Sequence, residues 1–355
     1  MKKVRKSIIL LLVLVLISVL TLGCGGSDKG ATGGEDKKAA DGGDKNTDKQ
    51  YSIKITHVLA ENHHYTKGAA KFKELIEERS GGKIKVEIFP NAQLGGERAI
   101  LEGLQMGTIE MGIITSGPLS GFVPEFGILD LGYLFRDSAE AMKILNGPVG
   151  EDLSKKMLDI GIRNLGFIKY EFRSVYGNKP IKTPADLAGI KIRTMENPAH
   201  QALFKALGAS PTPMAWPELY TGLQQGTVHA AENSPDVLAA SKQYEVAKHY
   251  SLTNHVFNNV MYMVSEKFYQ SLPAELQEMV VQAAKEAREY EDTLIEQDIA
   301  KALEEMKNAG VQVYEIDDMT PFHEAAQLSW DEVIKNIPDG GENLKKILEA
   351  EGRSK

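Results

Sequence analysis

Two stretches of this chain, 119 positions apart, repeat one another, and that recurrence constrains the fold more than any other feature. Gly103-Leu104-Gln105-Met106-Gly107-Thr108 returns as Gly222-Leu223-Gln224-Gln225-Gly226-Thr227. Each copy joins the end of a helix to the start of a strand. Around the first copy, Ser52 to Val58 alternates as a strand, and Ala69, Phe72, Leu75, Ile76 and Arg79 follow at helical spacing up to Gly81-Gly82. Lys83 to Phe89 alternates again, Ile100, Leu101 and Leu104 mark a second helix closed by Gly107, and Thr108 to Ile114 is a third strand. Around the second copy the order is strand Gly189 to Thr194, helix Pro198 to Leu207, strand Ser210 to Met214, helix Pro217 to Gln225, strand Thr227 to Ala231. Each half is therefore a βαβαβ unit, and the expected fold class is α/β with two similar lobes.

In open α/β sheets ligands sit beyond the carboxyl ends of the strands, where loops converge and helix N-termini present unpaired N–H groups. In the first lobe that rule selects Glu61, Asn62, His63 and His64 after the first strand, Gln93 to Glu97 after the second, and Thr115 to Pro118 after the third. In the second it selects Arg193, Ala215-Trp216 and Glu232-Asn233. The offset of 119 carries Glu97 onto Trp216, so these two are expected in equivalent loops facing one cleft.

The N-terminus fixes the compartment. Lys2, Lys3, Arg5 and Lys6 precede an apolar run from Ile8 to Leu22, ending in Gly23-Cys24. That is the pattern of a signal peptide, residues 1–23, and a run of roughly fifteen residues is shorter than the ~20 of a spanning helix. Leu20 to Cys24 resembles a bacterial lipobox, in which the cysteine is diacylated, with Thr21 standing where leucine is usual. Cys24 is the single cysteine, which excludes an internal disulfide or a multi-cysteine zinc site. The glycine-, lysine- and aspartate-rich residues 24–50 hold too little apolar surface to order themselves and read as a disordered lipid tether.

The net charge of the whole chain is −8, and loss of the first 23 residues, with four basic side chains and no acidic one, leaves −12. Such a surface argues against nucleic acid as a partner, and an anionic ligand then requires local arginines.

The stretch from Arg173 to His255 is more specific. It contains Lys179-Pro180-Ile181-Lys182-Thr183-Pro184-Ala185-Asp186-Leu187, Gly189-Ile190-Lys191-Ile192-Arg193, Gly208 to Met214, Glu232-Asn233, Tyr244-Glu245-Val246 and Leu252-Thr253-Asn254-His255. With Pro90 to Gly95 and Phe122 to Gly127 upstream, the chain from Tyr51 to about Gly340 resembles the solute-binding proteins of the tripartite ATP-independent periplasmic (TRAP) transporters. The resemblance implies a two-lobed Venus-flytrap fold with mixed sheets and crossover strands. One lobe would hold 51–171 plus about 259–298, the other 172–258 plus about 299–355. A long helix would span both, for which Pro273 to Ala309 fits, its stripe including Leu276, Val280, Ala287 and Tyr290.

The resemblance also implies roles. Arg193 matches the arginine that grips the ligand carboxylate, a planar fork that forms two charge-assisted hydrogen bonds. Taken alone, an arginine sharing a strand face with Lys191 reads as solvated. Arg173 matches a second arginine that often reaches the ligand, with a hinge salt bridge as its alternative. Asn233 matches a cleft asparagine, although His229-Ala230-Ala231-Glu232-Asn233-Ser234 departs from the usual Asp-Gly-Gln-Glu-Asn-Pro. Trp216 takes the place of an aromatic residue that packs on the ligand, with a core tryptophan as its alternative, and Glu97 an acidic position that accepts from hydroxyls, with a surface glutamate at a helix N-terminus as its alternative. His63 and His64 are expected to offer polar contact from their loop. No metal and no cofactor is expected, since neither HExxH nor paired-cysteine spacing is present.

The expected function is an extracytoplasmic solute receptor, lipid-anchored through Cys24, that binds a small carboxylate and delivers it to TRAP membrane subunits for ion-coupled uptake. A sugar acid such as a hexuronate is favoured over a C4-dicarboxylate. A monomer is expected, and no enzyme: Gly-x-Ser-x-Gly, Walker and GxGxxG patterns are missing after the strands. The alternatives are a lipid-anchored metal-binding receptor and a cell-envelope hydrolase.

Overall fold

The computed structural model describes residues 49–353. The expected signal peptide, Cys24 and all but the last two residues of the expected tether lie outside the described residues.

Among the described residues, eleven strands form two mixed sheets. In the first, β1 (Tyr51–Thr56) runs parallel to β2 (Ile84–Phe89) and to β3 (Met111–Thr115), and the antiparallel β10 (Val260–Ser265) lies between β3 and β4 (Ile162–Ile168). The second repeats this plan. There β6 (Lys191–Thr194) runs parallel to β7 (Ser210–Pro213) and β8 (Ala230–Asn233). The antiparallel β5 (Phe172–Gly177) joins β8 to β9 (His249–Phe257), with β11 (Gln312–Tyr314) at the edge. The orders β2-β1-β3-β10 and β7-β6-β8-β5 match strand for strand. The helices between the parallel strands are His64–Arg79 and Glu97–Met106 in one half, Pro198–Ala206 and Trp216–Gln224 in the other.

The repeated glycines explain the repeated turn. Gly107 and Gly226 both sit in the left-handed region, φ 73° and 72°, which ends each helix without a Cβ clash. The N–H groups of Thr108 and Ile109 then bond back to Gly103 O, and that of Val228 to Gly222 O. Those residues are therefore taken from the ladder, and β3 and β8 begin three residues later than alternation predicts.

The chain passes between the sheets three times: from β4 to β5 around Tyr170, from β9 to β10 around Asn258, and along the helix Ala274–Asn308. That helix packs on the first helix of one lobe and on the short helix Pro235–Ala240 of the other. Its apolar stripe is as expected at Leu276, Val280, Ala283, Ala287 and Ala302, but Tyr290 is exposed and Glu291 is buried in its stead. The final helix, Gly340–Ala350, buries Leu344, Ile347 and Leu348 in the same apolar cluster as the strands of the first sheet.

Candidate functional site

Both sheets direct the carboxyl ends of their parallel strands at one small cavity, about 350 Å³ including the part that opens to solvent. Val58 and Leu59 reach it from beyond β1, Tyr65 from the first helix, Glu97 from the helix after β2, and Thr115 from the end of β3. The opposite wall carries Arg173, Arg193, Met195, Trp216, Asn233 and Val237, with Asn258 from a crossing. Glu97 and Trp216 are each the first residue of their helix, so the sequence repeat does place them in equivalent loops. The side chains leave room inside for little more than a water molecule. Access for any organic acid therefore requires the lobes to part.

Arg193 is turned inward. It is 3 % exposed, its Nε donates to Met214 O at 2.9 Å, and its Nη1 is buried without a partner. Its guanidinium carbon lies 5.9 Å from the centroid of the Trp216 ring. Burial lowers its pKa, against the pull of the Glu232 carboxylate. A buried cationic donor with no acceptor is costly as it stands, and an anion in the cavity would relieve that cost.

Arg173 borders the same cavity, but the protein occupies all its donors. Nε and Nη2 hold the two carboxylate oxygens of Glu232 at 2.5 and 2.8 Å, and Nη2 also reaches Glu232 O at 2.9 Å. Nη1 donates to Asn233 Oδ1 at 3.2 Å and Asn258 Oδ1 at 3.0 Å. Burial works to lower its pKa and Glu232 more than reverses this. Burial would raise that of Glu232, but Arg173 and the histidines His200 and His255 hold it well below the usual carboxylate range. Arg173 thus serves as one half of an ion pair between neighbouring strands, and no N–H is left over for direct capture of a ligand. The pair also fixes Asn233: its Oδ1 accepts from Arg173 and from the Ser234 N–H, so its remaining capacity is the Nδ2 donor pair.

Glu97 offers the one acceptor of opposite character. Its carboxylate accepts from the Thr115 N–H at 2.9 Å and from Thr115 Oγ1 at 3.0 Å. Burial raises its pKa against these bonds and against the two arginines.

His63 and His64 lie elsewhere. Neither lines this cavity, because His63 caps the first helix, its Nδ1 accepting from the Tyr65 N–H, and both rings turn toward Asp236. Tyr65, Met195, Val237 and Asn258, which sequence reasoning did not single out, line it instead. Tyr65 carried a signal in its position directly after the loop, whereas Asn258 belongs to a crossing that no periodicity marks. A more open hollow of about 1370 Å³ includes Tyr133, Arg136 and Arg353, but its two arginines are already paired, with Glu140 and Glu351 respectively.

Comparison with known proteins agrees with this geometry. Residues 55–336 match the family model described as bacterial extracellular solute-binding protein, family 7. The 2,3-diketo-L-gulonate-binding periplasmic protein of Escherichia coli K12 is 37 % identical over 285 residues, 80 % of this chain and 87 % of that protein. A TRAP periplasmic solute-binding protein from Polaromonas, solved bound to D-erythronate, superimposes with a TM-score of 0.81 at 36 % identity, covering 84 % of this chain and 98 % of that one. One from Sulfitobacter with bound β-D-galacturonate gives 0.80 at 30 % identity, covering 82 % and 98 %. With two lobes, a cleft at the strand ends and a match over most of its length, the chain belongs to family 7 of the bacterial extracellular solute-binding proteins, the receptors of TRAP transporters.

Proposed function

We propose that the chain captures a small polyhydroxylated carboxylic acid between its lobes and delivers it to TRAP membrane subunits for ion-coupled uptake. The observation that carries this reading is the unpartnered, buried Nη1 of Arg193 in a cavity whose opposite wall holds Glu97. A carboxylate satisfies the guanidinium, while hydroxyls donate to Glu97 and accept from Asn233. Trp216 packs on the carbon skeleton. Arg173 acts one step back, adding positive charge and holding the Asn233 amide in orientation. The three relatives described above are named for, or were solved with, acids of this kind, which favours a sugar acid over a C4-dicarboxylate.

Closure follows from differential affinity, since only the closed form presents both walls to the ligand at once. The lobes divide as the sequence suggests, near residues 171 and 258 and within the long helix, with the last helix reassigned to the first lobe. Cys24 carries the lipid that keeps the receptor at the membrane, two acyl chains being enough for stable anchoring.

The test is a thermal-shift screen of D-erythronate, D-galacturonate, L-gulonate and succinate, followed by calorimetry. Stabilisation by at least one hydroxy acid, and its loss in Arg193→Met, is expected. If none of the acids stabilises the protein, or if the variant responds like the parent, the reading fails. Mass spectrometry of membrane-extracted protein should find a diacylated N-terminal Cys24.

A further inference from the structure

A buried ion cluster lies directly behind the cavity wall, and nothing in the ligand-binding scheme uses it. Its members come from four parts of the chain: His63 and His64 at the start of the first helix, Asp236 in the first turn of Pro235–Ala240, Tyr170 in the crossing between β4 and β5, and Glu291 in the long helix. All are buried, none more than 4 % exposed. Asp236 Oδ2 accepts from His63 Nε2 at 2.9 Å, His64 Nε2 at 3.1 Å and the Tyr170 hydroxyl at 2.5 Å. The other nitrogen of His64, Nδ1, is 2.7 Å from Glu291 Oε1, and Glu291 Oε2 accepts from the Tyr262 hydroxyl at 2.7 Å.

These bonds assign the protons. Nδ1 of His63 accepts an amide N–H, so its Nε2 carries the hydrogen and the ring is neutral. His64 has a carboxylate oxygen on each ring nitrogen, and with both carboxylates ionised it donates to both as an imidazolium. The electrostatics agree with that assignment. Burial lowers both rings; for His63 burial and the neighbouring His64 bring the pKa to about 4, while for His64 Asp236 and Glu291 outweigh burial and raise it to about 9. Burial pushes Tyr65, Tyr170 and Tyr262 well above their ordinary value, and His57, which burial lowers to about 3, stays neutral. Lys67 and Asp298, on the outer side, are paired with each other at 2.8 Å. His64 is therefore the member of the cluster that changes charge between neutral and alkaline pH.

The cluster touches both lobes and two of the three crossings. His64 belongs to one lobe, Asp236 to the other, and Glu291 and Tyr170 to two of the three crossings. Its neighbours in sequence form the cavity itself: Tyr65 follows His64, Val237 follows Asp236, and both line the wall. We propose that His64 is a positioning residue for ligand capture, a cationic pin that ties both lobes to the long helix and sets how closely the Tyr65 wall stands to the Val237 wall. The proposal rests on the two-lobed receptor reading, but its test needs no ligand.

His63, His64 and Asp236 also bring their ligand-type atoms within 4.8 Å of one another, as a divalent cation would require. The amide bond to His63 Nδ1 disfavours that alternative, because it leaves a proton on the Nε2 that a metal would need.

The experiment measures the interlobe distance by pulsed electron resonance in the ligand-free Cys24→Ser chain, with nitroxides at the exposed Glu102 and Gln224, one on each cleft helix. At pH 7 a single narrow distribution is expected, broadening or shifting as the pH passes His64's value toward about pH 10. His64→Gln should show the alkaline distribution already at pH 7 and no further response. Should that variant fail to fold, the titration of the parent decides alone. A parent distribution indifferent to pH, or a folded variant matching the parent, overturns the pin. So does a rise in melting temperature on adding equimolar zinc chloride that His64→Gln abolishes, which would make the cluster a metal site. A parent that binds no acid yet responds to pH sinks the receptor reading and with it the role in ligand capture, while the tie between the lobes stands.

Discussion

Replacing Arg193 with methionine separates binding from folding more sharply than any other change in this protein. In the free protein the guanidinium makes one bond, Nε to Met214 O at 2.9 Å, and leaves Nη1 buried and unpaired. Methionine fills similar space without a charge. It forfeits one buried hydrogen bond, a loss of about 1–3 kcal/mol. It also removes an incompletely compensated buried cation, whose replacement by apolar packing is often neutral or stabilising by about 1–4 kcal/mol. The two nearly cancel, so the melting temperature of the free variant should stay within a few degrees of the parent. Binding has no such compensation. Removing one partner of a buried charge pair costs about 2–5 kcal/mol. At about 1.4 kcal/mol per tenfold, that is a loss of roughly thirty-fold to several thousand-fold in affinity. Calorimetry with the hydroxy acid that gives the largest thermal shift reads the affinity, and scanning calorimetry of the free protein reads the stability. An affinity within about threefold of the parent, together with a markedly destabilised free protein, would show that Arg193 is a structural residue.

Glu97→Ala should weaken D-galacturonate about tenfold or more while sparing succinate, which has no hydroxyl to donate; equal losses on calorimetry would refute the hydroxyl role. Glu232→Gln leaves Arg173 buried without its counter-charge and should cost about 3–5 kcal/mol at neutral pH. Because the folded pKa of Glu232 is depressed, its contribution is present above the ordinary carboxylate value and is lost as the pH falls through the folded one, so melts taken in increasing acid should show the variant with the flatter profile. His64 has the opposite sign. Its folded value, about 9, is raised, so its contribution is complete below the unfolded value of 6.5 and disappears as the pH rises through 9. At most about 3 kcal/mol is involved, and an alkaline melt profile identical in His64→Gln would contradict it. Gly68→Ala would drive a Cβ into the Glu291 carboxylate and the Tyr262 hydroxyl. A loss of about 1–3 kcal/mol and a weakened alkaline transition are expected on calorimetric melting.

The first two strands and the helices between the parallel strands were legible because they bury one face, which writes its period into the chain, whereas β3 and β8 are buried throughout and were placed by the glycine turns before them. The long helix, expected from the resemblance over Pro273 to Ala309, was placed to within a residue at each end. Arg193 was found through the motif around it, not through alternation, which pairs it with the exposed Lys191 and so points outward. What was not legible depends on partners far away in sequence. Arg173 gives no sign that Glu232, Asn233 and Asn258 occupy its donors, and His63 and His64 were drawn toward the ligand by their loop when Asp236 and Glu291 hold them behind it. The same holds for Tyr290, where the stripe shifts by one residue to Glu291, which is buried because His64 and Tyr262 hold its carboxylate.

The matching helix starts at Glu97 and Trp216 give the cavity two reading heads on independent supports. Each stands at the mouth of its own strand–helix turn, in a separate sheet, held by a separate glycine-terminated helix. Exchanging one residue alters what one wall asks of a solute and leaves the opposite wall undisturbed. Diversification of ligand preference on this scaffold can therefore proceed one wall at a time, with the anion anchor at Arg193 held fixed.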